Sequence, residues 1–185
     1  MVAFGKHDCR DIFYLIFLRF YMIFLRNISV GDNIVLAKIH RASFSDGWSE
    51  SSFQNMLMDP TFFGFIVGHE KNGQKQDCGF ILCRRILEEI EIITLCVLPE
   101  HRRFGLGKLL IIETIKQAGL LLKQESDYLE SIKIFLEVAE NNVTAIHLYS
   151  AFGFEKISRR AQYYRTPNGN IDAHIMVLKV CDEQG

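Results

Sequence analysis

The chain has 185 residues, 49% of them hydrophobic, and its 21 lysines and arginines against 22 acidic residues leave a net charge of −1. That length fits one domain able to bury its own core, and the even charge balance excludes the global basic excess of a nucleic-acid-binding protein. The five cysteines are scattered and never spaced Cys-x-x-Cys, so neither a zinc site nor a disulfide framework is expected; they read as small apolar residues of a protein in a reducing cytoplasm.

The chain opens on an apolar segment from Ile12 to Leu25, broken by Arg19. Its uninterrupted part, Ile12–Leu18, is far shorter than the roughly 20 residues a membrane span needs, and no small-residue cleavage site follows it. Neither membrane insertion nor export is expected. The domain is predicted to run from Met22 to about Cys181, with "MIFLRNIS" as its first strand and residues 1–21 as an appendage.

Beyond that strand, Ile34, Val35, Leu36, Ile39 and Phe44 have the spacing of an amphipathic helix, with Ser29 and Asp32 near its start. "WSESSFQNMLMD" predicts a second, short helix capped by Ser49. Three strands follow, "FFGFIVGHE", "DCGFILCRRI" and "EIEIITLCVL", the first two joined by the hairpin signal "KNGQ". A helix is predicted from about Gly105 to Lys123, then the alternating strand "SIKIFLEVA". The helix "NNVTAIHLYSAF", closed by Gly153, and a last pair of strands, "FEKISRRAQYY" and "DAHIMVLKV", complete the chain. The expected class is α/β with a mixed sheet in a single domain, in the order β-α-α-β-β-β-α-β-α-β-β.

Between the third of those strands and the long helix stands "PEHRRFGLGKLL", with two arginines and two glycines in six residues. Glycines remove the Cβ atoms that keep ligands from the backbone, and a helix start presents N–H groups without intrahelical partners. With Arg102 and Arg103 beside them, such a turn suits a phosphate or pyrophosphate; the alternative is a strand-to-helix loop with a basic, solvated rim. Lys108 is followed by Leu109 rather than Ser or Thr, which excludes the nucleoside-triphosphate P-loop, and Leu110 occupies the third glycine position of a dinucleotide fingerprint. Arg102-x-x-Gly105-x-Gly107, between strand and helix, resembles the acyl-CoA-binding motif of the GCN5-related N-acetyltransferases (GNAT superfamily).

The resemblance covers about Met22 to Val180. The segments "FLEVAENNVTAIHLYSAFGF" and "YYRTPNG…DAHIM", with "Trp48-Ser49-Glu50", are similar to the bacterial ribosomal-protein-alanine N-acetyltransferase branch, the RimI type. It implies acetyl-CoA as cosubstrate, no metal, and transfer to the N-terminal α-amine of a protein, most like the N-terminal alanine of a small-subunit ribosomal protein. The alternatives are an internal lysine or small-molecule amine as acceptor, or an acyl-CoA-binding module without turnover. The backbone of Leu95, Cys96 and Val97 would pair with the pantetheine arm, and Arg103, Phe104, Gly105, Leu106, Gly107 and Lys108 would hold the pyrophosphate. Asn142 would meet the cofactor near its thiol. Glu137 stands where the branch has its proton acceptor and Tyr149 where it has its proton donor. Ala139 departs from the branch, which usually has arginine there.

Amine acetylation requires a neutral nitrogen, yet an α-amine with a pKa of about 8 is mostly protonated at neutral pH. A cleft-facing carboxylate can take that proton, and a phenol can return one to the departing thiolate. Glu137 alternates against Ile134, Leu136 and Val138, which puts it on the other face of its strand; Glu91 is the rival base, and an exposed structural carboxylate is the alternative for both. Tyr149 shares a helix side with Ile146 and Phe152, so its ring is expected to pack whether or not its hydroxyl reacts. Asn142 reads equally as a helix cap.

Overall fold

The computed structural model describes residues 22–125, 127–166 and 169–181, so the expected appendage lies outside it. Among these residues seven strands form one sheet: β1 (Met22–Asn27), β2 (Phe62–Lys71), β3 (Gln74–Ile86), β4 (Glu89–Val97), β5 (Ser131–Ala139), β6 (Glu155–Thr166) and β7 (Gly169–Cys181). The helices are α1 (Asn33–Ser43), α2 (Glu50–Met58), α3 (Leu106–Gln124) and α4 (Val143–Ser150), with short 3-10 turns at Val30–Asp32 and Pro99–His101. The expected element order is reproduced. The strands lie β1-β2-β3-β4-β5-β7-β6, all neighbours antiparallel except β4 and β5, whose parallel pairing requires the α3 crossover.

Local chemistry accounts for the boundaries. Asn72 and Gly73, at φ 52° and 76°, supply the two left-handed residues of a tight hairpin turn between β2 and β3. Ser49 caps α2 by accepting a hydrogen bond from the Ser52 N–H at 3.1 Å. The runs "GFIV" and "GFILC" are buried on both faces because helices cover the middle of the sheet on both sides.

One face packs Phe65, Val67, Ile81, Ile90, Ile134 and Leu136 against Leu106, Leu110 and Ile111 of α3 and Tyr149 of α4. The other packs Ile66, Phe80, Leu82 and Cys96 against Leu36, Ala37 and Ile39 of α1 and Phe53 of α2. Two expected core residues of the first helix lie outside. Ile34 is 61% exposed because, two residues before Leu36, it projects from the opposite side of the helix; Phe44 is 45% exposed because it follows the last helical turn in extended backbone. Cys78, Cys83 and Cys96 are buried as expected, whereas Cys181 is exposed at the end of β7.

A bulge in β4 organises the region that follows. Leu82 pairs with Thr94 and Cys83 with Ile92, which leaves Ile93 as an extra residue. Ile90 and Ile92 pack beneath α3, and past the bulge it is Leu95 and Val97 that do so while Cys96 turns to the α1 and α2 side. The parallel register of β4 with β5 ends at the same level, with Ile92 opposite Leu136.

Candidate active site

Beyond Ile92 and Leu136, β4 keeps β3 and β5 keeps β7, and the two strands part. Residues 93–97 of β4 and 137–139 of β5 therefore form the two sides of a V-shaped opening within the sheet. Alternate backbone N–H and C=O groups of Leu95, Cys96 and Val97 face that opening, a row able to pair with an extended amide-bearing ligand.

The glycine-containing turn lies directly beyond the end of β4. Arg103 and Gly105 both hold left-handed backbone, at φ 68° and 75°. Leu109 N–H donates to the Gly105 carbonyl at 3.1 Å and opens α3, so the N–H groups of Leu106, Gly107 and Lys108 precede the helical ladder. Arg102 Nε donates to the Val97 carbonyl at 3.0 Å, which ties this exposed guanidinium to β4, and Arg103 and Lys108 are exposed beside it. Leu106 points into the core and Phe104 packs against it. A Cβ added to Gly107 would lie 3.4 Å from Leu148 Cδ2 and 3.8 Å from Leu95 Cδ2, so the start of α3, the splayed end of β4 and α4 converge there. Left-handed glycine, free helix-start donors and two cations fit a pyrophosphate, and the adjoining row of strand amides fits a pantetheine arm.

The two expected proton carriers occupy opposite faces of the sheet. Tyr149 lies on the α3 and α4 side, 7% exposed, its ring edge-on to Phe154 at 5.6 Å. Burial holds its phenol well above the ordinary tyrosine range, reinforced by Cys83, Tyr164 and Cys96, so it stays protonated at any working pH. Glu137 faces the α1 and α2 side, its side chain 18% exposed, and forms an ion pair with Arg160, whose Nη1 lies 2.9 Å from Oε1. Tyr164 Oη donates to the Glu137 backbone carbonyl at 3.2 Å, and burial pushes the Tyr164 phenol up to about 12. The neighbouring Glu137 carboxylate holds the Tyr163 phenol above the ordinary tyrosine range, and the Tyr163 ring lies 5.2 Å from the Arg160 guanidinium.

Arg160 is the residue that sequence reasoning missed. Pairing of β6 with β7 shifts between Arg160 and Tyr164, with Gln162 at φ 53° and its N–H held by Asp172 Oδ1 at 2.8 Å. This bulge is what turns Arg160, Tyr163 and Tyr164 together toward Glu137, and strand alternation alone gives no sign of it. Ala139 pairs with Ala173, which in turn pairs with Arg160, so the arginine reaches Glu137 across two small side chains.

Glu91 stands apart from this group. It lines an open depression of about 380 Å³ with Arg84, Ile86, Glu89 and Phe135, on the closed side of the V, and is itself exposed. Asn142 is the cap of α4, accepting from Ala145 N–H at 3.1 Å through Oδ1, the alternative that its sequence context allows.

The sequence profile of the Acetyltransferase (GNAT) family matches residues 34–154. The chain is 33% identical over 160 residues to the [ribosomal protein bS18]-alanine N-acetyltransferase of Salmonella typhimurium, covering 83% of this chain and 95% of that one. It is 29% identical over 136 residues to its Escherichia coli counterpart, covering 72% and 81%. The crystal structure of the Escherichia coli enzyme superposes with a TM-score of 0.72 at 26% identity, covering 86% and 95% of the two chains. Arabidopsis thaliana NAA60 with acetyl-CoA has a TM-score of 0.71 at 21% identity, covering 85% of this chain and 98% of that one, which speaks for the fold alone. The chain is thus an acetyl-CoA-dependent N-acetyltransferase. The chain belongs to the GNAT acetyltransferase family, on the side of the ribosomal-protein-alanine N-acetyltransferases.

Proposed function

We propose that residues 22–181 transfer acetyl from acetyl-CoA to the α-amine of a protein N-terminus, with an N-terminal alanine of a small-subunit ribosomal protein as the preferred acceptor. The observation that carries this reading is the placement of Glu137 and Tyr149 on opposite faces of the V, so that an amine and a thioester entering from the two sides each meet one proton carrier.

Arg103 through Lys108 would hold the pyrophosphate, Leu95, Cys96 and Val97 the pantetheine amides, and the free Nδ2 of Asn142 would reach the cosubstrate from the start of α4. Acetyl-CoA supplies an activated acetyl group. Glu137 accepts the proton of the incoming ammonium, directly or through one water, and the freed nitrogen attacks the thioester carbonyl. The carbon–sulfur bond then breaks, Tyr149 gives its proton to the departing sulfur, and the second proton of the attacking nitrogen returns to the phenolate, directly or through water, leaving the neutral amide. Arg160 fixes the Glu137 carboxylate and supplies on this side a cation that Ala139 does not. Glu89 and Glu91 at the depression add negative potential toward a cationic amine.

The similarity to bS18-alanine acetyltransferases supports the acceptor class. The test is acetylation of a panel of short peptides differing in their first residue, read by mass spectrometry together with thiol release. Alanine-initiated peptides should lead, and blocking the α-amine should abolish transfer even with internal lysines free. Equal acetylation of blocked peptides on lysine would refute the N-terminal reading.

A further inference from the structure

Three residues far apart in sequence meet at the rim of the sheet beside the cofactor turn, outside the proposed catalytic group. His69 of β2, Cys78 of β3 and His101 of the 3-10 turn each direct a donor atom to one place, all within 4.8 Å of one another. The cause is a third bulge, between β2 and β3. Val67 pairs with Gly79 and Gly68 with Asp77, which leaves Cys78 as the extra residue and aims its sulfur to the face where His69 lies. Leu98 N–H donates to the Cys78 carbonyl at 2.8 Å and draws the end of β4 onto this bulge. The turn that follows lays the His101 ring over His69, centroids 5.1 Å apart and planes at 65°.

From this geometry we infer that His69, Cys78 and His101 form a binding site for a divalent transition metal of the zinc class. One thiolate and two imidazoles are a donor set that zinc takes with a fourth, exchangeable position. A tetrahedral ion requires separations of about 3.3–3.6 Å between such donors, so pairs within 4.8 Å close by up to about 1.2–1.5 Å to reach it. His101, half-exposed on a short surface turn, can make that movement and leaves the fourth position to water.

The protonation states pull in opposite directions: the lowered imidazoles favour a bound cation, and the thiol raised by burial opposes it, so the geometry of the three donors carries the assignment. Burial holds both imidazoles below the ordinary histidine value, with Glu100 opposing this at His101, so both rings are neutral near pH 7. Burial pushes the Cys78 thiol up to about 11, and its S–H donates to the Gln76 carbonyl at 3.3 Å. Metal entry therefore forms two metal–nitrogen bonds and one metal–sulfur bond, breaks the thiol hydrogen bond, and releases one proton to solvent. His101 precedes Arg103 by two residues, so the bound ion clamps the start of the pyrophosphate turn to β2 and β3.

The test is titration of the full-length, untagged chain with Co²⁺ after treatment with chelator, followed by Zn²⁺. One equivalent of Co²⁺ should bring a near-ultraviolet thiolate charge-transfer band and visible tetrahedral absorption, both removed by Zn²⁺. Zn²⁺ should also raise the melting temperature. Cys78→Ser should abolish the charge-transfer band, His101→Gln should weaken affinity by at least about tenfold, and the exposed-thiol control Cys181→Ser should change neither. No cobalt band, a band retained in Cys78→Ser, or unchanged affinity in His101→Gln would overturn the assignment. The His101 variant alters a half-exposed side chain and decides the matter if the buried Cys78 variant does not fold.

Discussion

Replacing Tyr149 by phenylalanine removes one oxygen and leaves the ring where it is. The side chain is 7% exposed, and its contact with Phe154 at 5.6 Å is through the ring, so packing is unchanged. Deleting one hydroxyl from a buried phenol shifts stability by about 1 kcal/mol or less, which in a domain of this size moves the melting temperature by roughly 2–4 °C. Acetyl-CoA affinity by calorimetry should stay within about twofold of the unsubstituted chain. Turnover is expected to fall by about 10²–10⁴-fold, the span of a lost general acid. Because burial holds this phenol above the ordinary tyrosine range, it remains protonated throughout the assay window, so any alkaline fall in rate of the unsubstituted enzyme comes from another group. The assay is thiol release at saturating acetyl-CoA across pH. Turnover within threefold of the unsubstituted enzyme, with the variant folded and binding acetyl-CoA, would refute the role of Tyr149 as proton donor.

Glu137→Gln should lower turnover and recover part of it at higher pH, where more of the amine loses its proton unaided; a flat ratio of variant to unsubstituted rates across pH would count against a base. Gly105→Val puts a β-branched residue at φ 75°, a strain of about 1–2 kcal/mol, and should weaken acetyl-CoA binding while circular dichroism stays unchanged. His40 predicts an acid limb of stability. It is 3% exposed, accepts from Trp48 N–H at 3.1 Å through Nδ1, and is held at about 4 by burial, against 6.5 for a free imidazole. Above pH 6.5 it contributes no pH dependence; as pH falls from 6.5 toward 4 the unfolded chain takes up the proton first and stability drops by up to about 3 kcal/mol. Urea unfolding at pH 7.5 and pH 5 should show about 2 kcal/mol of that loss, and His40→Asn, which keeps an acceptor, should remove most of the slope.

The fold was legible where one rule governs each residue. Alternation placed β5 and the side of Glu137, apolar spacing placed α3 and α4, and Asn72-Gly73 marked the hairpin. The turn between β4 and α3 was legible because glycine and arginine spacing is a local property. What escaped lies at three bulges. Ile93 reverses the facing of β4, Cys78 turns a thiol toward two histidines, and residues 161–163 bring Arg160 to Glu137. An extra residue in a strand depends on the partner strand's register, which a single sequence does not display. Short cysteine spacings could not register the approach of His69, Cys78 and His101, which lie 9 and 23 residues apart along the chain. Ile34 was misplaced for a simpler reason: a run of three apolar residues at the start of a helix cannot all face inward.

The parting of β4 from β5 also bears on solubility. An open sheet has two edges, and each invites a foreign strand; here the outer edge β6 is exposed along most of its length and carries Lys156, Arg159, Arg160 and Arg165 against such pairing. The V adds two further half-edges, residues 93–97 and 137–139, rich in Leu, Cys, Val and Ala and with no comparable charge screen. They lie inside the sheet, where each already has a partner on its other side and where only a slender chain can enter. The protein thus keeps backbone groups ready for hydrogen bonding by placing them between its own strands rather than on an outer edge.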